Sequence, residues 1–135
     1  MVDPERLALR LARLDVLLAH LEGVRAAGLP AYLADIGARL ACERALTMAE
    51  QIVVDIAAQV VAERGLGAPS TYSDAFALLA AAGVLAPTEA EELADAARQR
   101  NLLIHLYLEI DDRLVFASLG RLDALRRFAA VALEL

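Results

Sequence analysis

Leucines recur at helical spacing near the start of the chain. Leu7, Leu11, Leu14, Leu18 and Leu21 fall on one stripe, and Arg6, Arg10, Arg13 and Glu22 lie off it. Asp3 is placed to cap this first helix, with Pro4 at its first position, where a missing N–H costs nothing. Gly23 and the Ala-Ala-Gly-Leu-Pro run to Pro30 end or kink it. From Ala31 to about Arg64 the pattern predicts a long second helix, nearly all apolar between Ala41 and Ala62. Its polar residues keep to lines. Arg44, Thr47, Gln51 and Asp55 share a face, and Glu43 and Glu50 form a second pair seven residues apart. Polar groups on so apolar a helix need partners or water. They are either a solvated face or a hydrogen-bond network between protomers, or they line a cleft opposite the helix that bears His105.

Gly65-Leu-Gly-Ala-Pro-Ser70 reads as a loop, and Thr71 to Ala82 as a short helix capped by Thr71 or Ser73 with Phe76, Leu78 and Leu79 inward. Gly83 stops it and Pro87 closes the turn. Thr88-Glu-Ala-Glu91 is a capping box, predicting a fourth helix through Leu93, Ala97 and Asn101 to about Tyr107. Glu109-Ile-Asp-Asp112 breaks that pattern. A last helix begins near Asp111 or Asp112, with Leu114, Val115, Leu119, Leu122, Leu125 and Ala129 as its buried stripe. There is no strand-like alternation, repeat or linker. The expectation is one all-α domain over residues 1–135, an antiparallel bundle of about five helices, two of them long.

Composition sharpens this picture. Of the 135 residues 59% are hydrophobic but only 4% aromatic, so the excess is Ala, Leu and Val, a mix that favours helix. A mean hydropathy of +0.51 implies more apolar surface than one small core hides, and therefore an oligomer, most simply a symmetric dimer. All 13 basic residues are Arg, and the net charge of −6 argues against a broad nucleic-acid footprint while leaving room for a local Arg cluster on one phosphate. The single cysteine, Cys42, excludes an intrachain disulfide and reads as a small buried residue. Met1-Val-Asp-Pro-Glu5 is acidic and helix-starting rather than a signal peptide, and the longest charge-free run, Ala75 to Thr88, is too short for a bilayer. A cytoplasmic protein is expected.

One decapeptide concentrates the unusual residues: Arg98-Gln-Arg-Asn-Leu-Leu-Ile-His-Leu-Tyr107, on the fourth helix. It holds the only Asn, Asn101, one of the two histidines, His105, and one of the three tyrosines, Tyr107. Asn101 and His105 are i, i+4 and share a face. Arg100 lies about 140° round the helix from His105, within reach of the same cleft for so long a side chain. Together they offer a cation for phosphate, a fixed amide, an imidazole and a phenol. No second His and no acidic cluster of metal spacing accompanies them, so neither a metal nor another cofactor is expected. The bare Arg-to-His spacing is weak on its own, because Arg13 and His20 match it too, without the Asn or the Tyr; His20 reads as a solvated helix-end residue.

Arg100-Asn-Leu-Leu-Ile-His105-Leu-Tyr107 resembles the R-x4-6-H-x-Y signature of HEPN-domain proteins, in particular the HepT-like toxins of type VII toxin–antitoxin pairs. Glu43-Arg44-Ala-Leu, Glu50 and Asp55-Ile-Ala resemble the family's second-helix pattern, and Glu109-Ile-Asp-Asp-Arg-Leu-Val115 is similar to the segment C-terminal to the family's motif. The likeness covers about residues 5 to 130, with Leu106 standing where relatives often carry Gly or a polar residue. It implies a bundle that dimerises with its motif helices facing across a cleft, and metal-independent endoribonuclease activity. It also implies a nucleotidyltransferase antitoxin of the MNT class that can transfer AMP to Tyr107. Under it His105 is the general base or acid and Arg100 stabilises charge on the phosphorane-like transition state. Asn101 orients phosphate or ribose, and Glu43, Arg44, Gln51 and Asp55 support the cleft. The competing reading is a non-catalytic HEPN-like module for dimerisation or nucleotide and substrate binding, partnering a nucleotidyltransferase. In it His105 and Tyr107 are interface residues and Arg100 pairs with Asp55 or Glu43. Growth arrest on expression separates the two.

Overall fold

A computed structural model describes residues 3–135. It is all-helical among those residues, and its organising element is α3 (Ile36–Glu63), which packs against α1 (Pro4–Ala27), α2 (Leu29–Ala34), α4 (Tyr72–Ala81), α5 (Pro87–His105) and α7 (Leu122–Leu133). The short α6 (Asp112–Ser118) lies against α2. The leucine stripe of α1 is buried from Leu11 to Leu21 and faces Leu46, Ala49, Val53 and other small or branched residues of α3 within one core. Each such leucine contributes about 1.5–3 kcal/mol on leaving water. Two aromatic contacts tie the chain's later part in: Phe76 meets Phe128 edge-on at 6.0 Å, and Tyr32 meets Phe116 at 5.4 Å.

The boundaries depart from the sequence pattern where capping chemistry intervenes. The first helix runs past Gly23 to Ala27 and stops at Gly28, whose φ of 90° suits a residue without a Cβ. The continuous helix expected from Ala31 is divided at Asp35. That residue is extended, and its carboxylate accepts from the Gly37 and Ala38 N–H groups at 2.8 and 3.2 Å, starting α3 afresh. Thr71 does cap α4, accepting from Asp74 N–H at 3.2 Å. The Thr88 capping box does not form. α5 begins at Pro87, and Glu89 reaches back to the Ala86 N–H at 3.0 Å. α5 also ends at His105 rather than Tyr107; Leu106 turns away (φ −120°), and Tyr107–Glu109 form a 3-10 turn. Asp111 caps α6 through Arg113 and Leu114 N–H, and a 3-10 turn at Leu119–Arg121 separates α6 from α7, so the single last helix expected from the sequence is two.

α3 is long and apolar enough to cross a bilayer by length and composition, which the charge-free-run criterion overlooked. Here it is the core helix: 56% of its most apolar window is buried within the bundle.

Candidate functional site

α3 and α5 pack side by side. Leu93, Ala96, Ala97 and Leu103 face the core, so Arg100 and Asn101 between them, and His105 just beyond, stand at the edge of the packed layer. There they line an open pocket of about 790 Å3, closed opposite by Pro69, Ser70, Thr71 and Tyr72, with Ala58 and Ala75 among the residues lining it. The wall opposite is fixed locally. Ser70 Oγ donates to Asp74 Oδ2 at 2.5 Å, a bond that holds the Asp74 carboxyl below its usual range, and Thr71 caps the helix that carries Tyr72.

Arg100 is held by three contacts. Its Nε donates to the side-chain oxygen of Gln51, its Nη1 donates to Asn101 Oδ1 at 2.7 Å, and its guanidinium lies over the Tyr72 ring, 5.3 Å from the centroid. Gln51 Nε2 in turn donates to Asp55 Oδ1 at 2.7 Å. The amide is thereby oriented with its oxygen toward the arginine. A relay from Asp55 through Gln51 to Arg100 and Asn101 joins the polar line of α3 to the motif of α5. The direct Arg100–Asp55 or Arg100–Glu43 ion pair considered from sequence is absent among the described residues; Gln51 stands between.

Beneath this relay Glu50 is 2% exposed, and its Oε1 is buried without a hydrogen-bond partner. Burial lifts its carboxyl well above the ordinary carboxylate range, and the positive charges of Arg121 and Arg100 pull it partly back.

The other expected supporting residues disperse. Thr47 is buried and donates to the Glu43 carbonyl at 2.8 Å, satisfying itself within the helix. Arg44 lines a neighbouring groove with Gln51. Glu43 does not join the cleft: it sits near Arg39, Asp112, Tyr32 and Cys42, where burial and then Asp112 raise its carboxyl pKa. Cys42 is a buried free thiol pushed up to about 11 by that burial. Tyr107 lies outside the pocket lining on the 3-10 turn and is 66% exposed. The decoy pair is kept apart, with Arg13 in the groove beside Arg44 and His20 in a separate cavity near Tyr32 and Asp35. Sequence reasoning missed Tyr72, which faces Arg100; an aromatic directly after a helix-capping Thr at the end of a Gly/Pro loop was the available signal. Among the described residues no group of three or more His, Cys, Asp or Glu side chains is placed to hold a metal ion.

The constellation presents a cation, an amide and an imidazole to one open pocket, a set suited to an anionic ester. The chain is 29% identical over 119 residues to the tRNA nuclease HepT of Aphanizomenon flos-aquae, covering 88% of this chain and 81% of that protein. Solved structures share the fold. The tri-AMPylated HEPN toxin of Shewanella oneidensis in complex with MNT antitoxin superposes with a TM-score of 0.84 at 21% identity, over 93% of this chain and 94% of that one. A crystal structure of a toxin–antitoxin with AMP-PNP gives 0.83 at 20% identity, over 93% and 96% of the two chains. The cytosolic protein YutE of Bacillus subtilis, of unknown function, gives 0.84 at 20%, over 98% and 90%. The ribonuclease HepT-like family model matches residues 16–132, nearly the whole bundle, and the chain belongs to that family.

Proposed function

We propose that this protein is the toxin of a toxin–antitoxin pair, a cytoplasmic, metal-independent endoribonuclease that cuts RNA at the Arg100–His105 pocket. The observation that carries the reading is the convergence of Arg100, Asn101 and His105 on one open pocket, with Arg100 pre-oriented by Gln51, Asn101 and Tyr72. The ribose 2′-OH attacks the adjacent phosphorus as His105 takes its proton; the bond to the 5′-oxygen breaks, and that oxygen takes up a proton from water as it leaves. Arg100 faces the charge that builds on the non-bridging oxygens, and Asn101 orients the phosphate or ribose. The products are a 2′,3′-cyclic phosphate and a 5′-hydroxyl. The relative from Aphanizomenon is named for tRNA, which makes tRNA the first substrate to try.

The antitoxin is a nucleotidyltransferase of the MNT kind. The Tyr107 phenol attacks the α-phosphorus of ATP and releases pyrophosphate, leaving an AMP ester two residues from His105, where its bulk and charge block RNA. The exposure of Tyr107 on a turn outside the packed helices supports this. The exposed Leu106, Leu108 and Leu114 beside that turn supply apolar surface for a homodimer.

Purified chain without metal should cleave RNA and His105→Ala should not, with a cyclic phosphate on the product. Cleavage by both at one rate would remove His105 from the chemistry. No cleavage by wild type whose intact mass lacks the roughly 329 Da of an AMP group would refute the nuclease.

A further inference from the structure

Next to the pocket lies a second groove of about 570 Å3 between α1 and α3. Arg6, Arg10 and Arg13, at i, i+4 and i+7, form one wall, and Arg44 stands on the other above a floor that includes Met48 and Ile52. Groove and pocket adjoin at two elements. Gln51 lines the groove while accepting from Arg100 in the pocket, and on α5 Ile104 faces the groove while His105 faces the pocket.

Like Arg64, Arg100, Arg113 and Arg121, the four groove arginines make no ion pair among the described residues, and no acidic side chain lines the groove; Arg25, Arg39, Arg98, Arg126 and Arg127 are ion-paired. Moreover, Arg10 Nη1 is buried with no hydrogen-bond partner. A guanidinium nitrogen removed from water and left unpaired is costly, and an arriving anion repays that cost. In a chain of net charge −6, four unpaired cations in one groove are a local exception to the overall charge. A second copy does not fit as occupant. A two-fold contact closing this groove on itself would set four arginines against four.

We propose that the α1–α3 groove is a tracking site for single-stranded RNA, gripping backbone phosphates that flank the scissile one. Arg6, Arg10, Arg13 and Arg44 hold phosphates, and the apolar floor takes base or ribose faces. This rests on the ribonuclease reading and adds to it the path by which substrate enters. The net acidity of the chain then does not oppose RNA binding, since the cations are concentrated where the backbone runs.

The test is binding of a labelled single-stranded oligoribonucleotide across a salt series, with every protein carrying His105→Ala so that RNA is held uncut. Replacing Arg6, Arg10 and Arg13 together by Gln should make the slope of log affinity against log salt shallower by about 2, at about 0.7 per lost phosphate contact. The single variants Arg6→Gln and Arg13→Gln, both at exposed positions, should each lose about 0.7 and serve if the triple variant unfolds. Arg127→Gln removes an equal charge elsewhere and should leave the slope unchanged. With His105 restored, the triple variant should raise KM for long RNA and leave cleavage of a dinucleotide, too short to reach the groove, as in wild type. An unchanged slope overturns the groove, and so does a changed oligomeric state with RNA binding intact. If wild type still cuts RNA in either case, the ribonuclease reading stands without it. A wild type that neither binds nor cuts RNA removes both.

Discussion

Replacing Gln51 by Ala tests whether the polar line of α3 positions Arg100 for the proposed cleavage. Gln51 touches no substrate in the proposed mechanism; it holds Arg100 by accepting from Nε and is itself held by Asp55. A hydrogen bond to a charged group contributes about 1.5–3 kcal/mol when well shielded. Arg100 is only partly buried and keeps its contacts to Asn101 and Tyr72, so solvent and the remaining partners recover much of this. The expected loss is about 1–1.5 kcal/mol of transition-state stabilisation, roughly five- to thirteenfold in single-turnover cleavage rate. The informative measurement is a double-mutant cycle with Arg100→Ala. If Gln51 acts through Arg100, adding Gln51→Ala to Arg100→Ala should change the rate less than twofold. Equal losses in both backgrounds would show that Gln51 acts independently, and a single variant within twofold of wild type would show that Arg100 needs no such support. Thermal unfolding of each variant checks that the bundle is intact.

Glu50→Gln should stabilise the fold in a pH-dependent way. The native state favours protonated Glu50, whose pKa is raised by burial, while the unfolded chain ionises near its ordinary 4.5. Wild-type stability is therefore fully present below 4.5 and falls as pH rises toward the raised native value. The Tm gain of Glu50→Gln should be clear at about pH 8 and vanish near about pH 4; a gain independent of pH would refute the linkage. Tyr72→Ala removes the ring under Arg100, a contact of about 0.5–1 kcal/mol, and should slow cleavage about two- to fivefold. Tyr72→Phe keeps the ring and should stay near wild type; equal losses in the two variants would assign the role to the hydroxyl instead.

Much of this protein is set by local rules that a linear chain carries. The leucine stripe of α1, the capping chemistry of Asp3 and Thr71, and the Arg100–Asn101–His105 spacing depend only on residues within a few turns of one another. So the all-helical class, the core face of the first helix and the motif itself were legible. Breaks were harder, because Asp35 and Pro87 each compete with a plausible alternative, and the winner depends on how neighbouring helices fix the chain's direction. What only the tertiary structure decided is which polar residues of α3 meet the motif. Gln51 meets it and Asp55 only supports Gln51 from behind, Thr47 turns back on its own helix, and Glu43 faces away toward Arg39 and Asp112. A helical face spans neighbours on several sides, and the rotation and crossing of α3 against α5 select among them. Tyr72 reaches Arg100 for the same reason: a loop and a helix hairpin bring together residues distant in sequence, and no local pattern encodes that meeting.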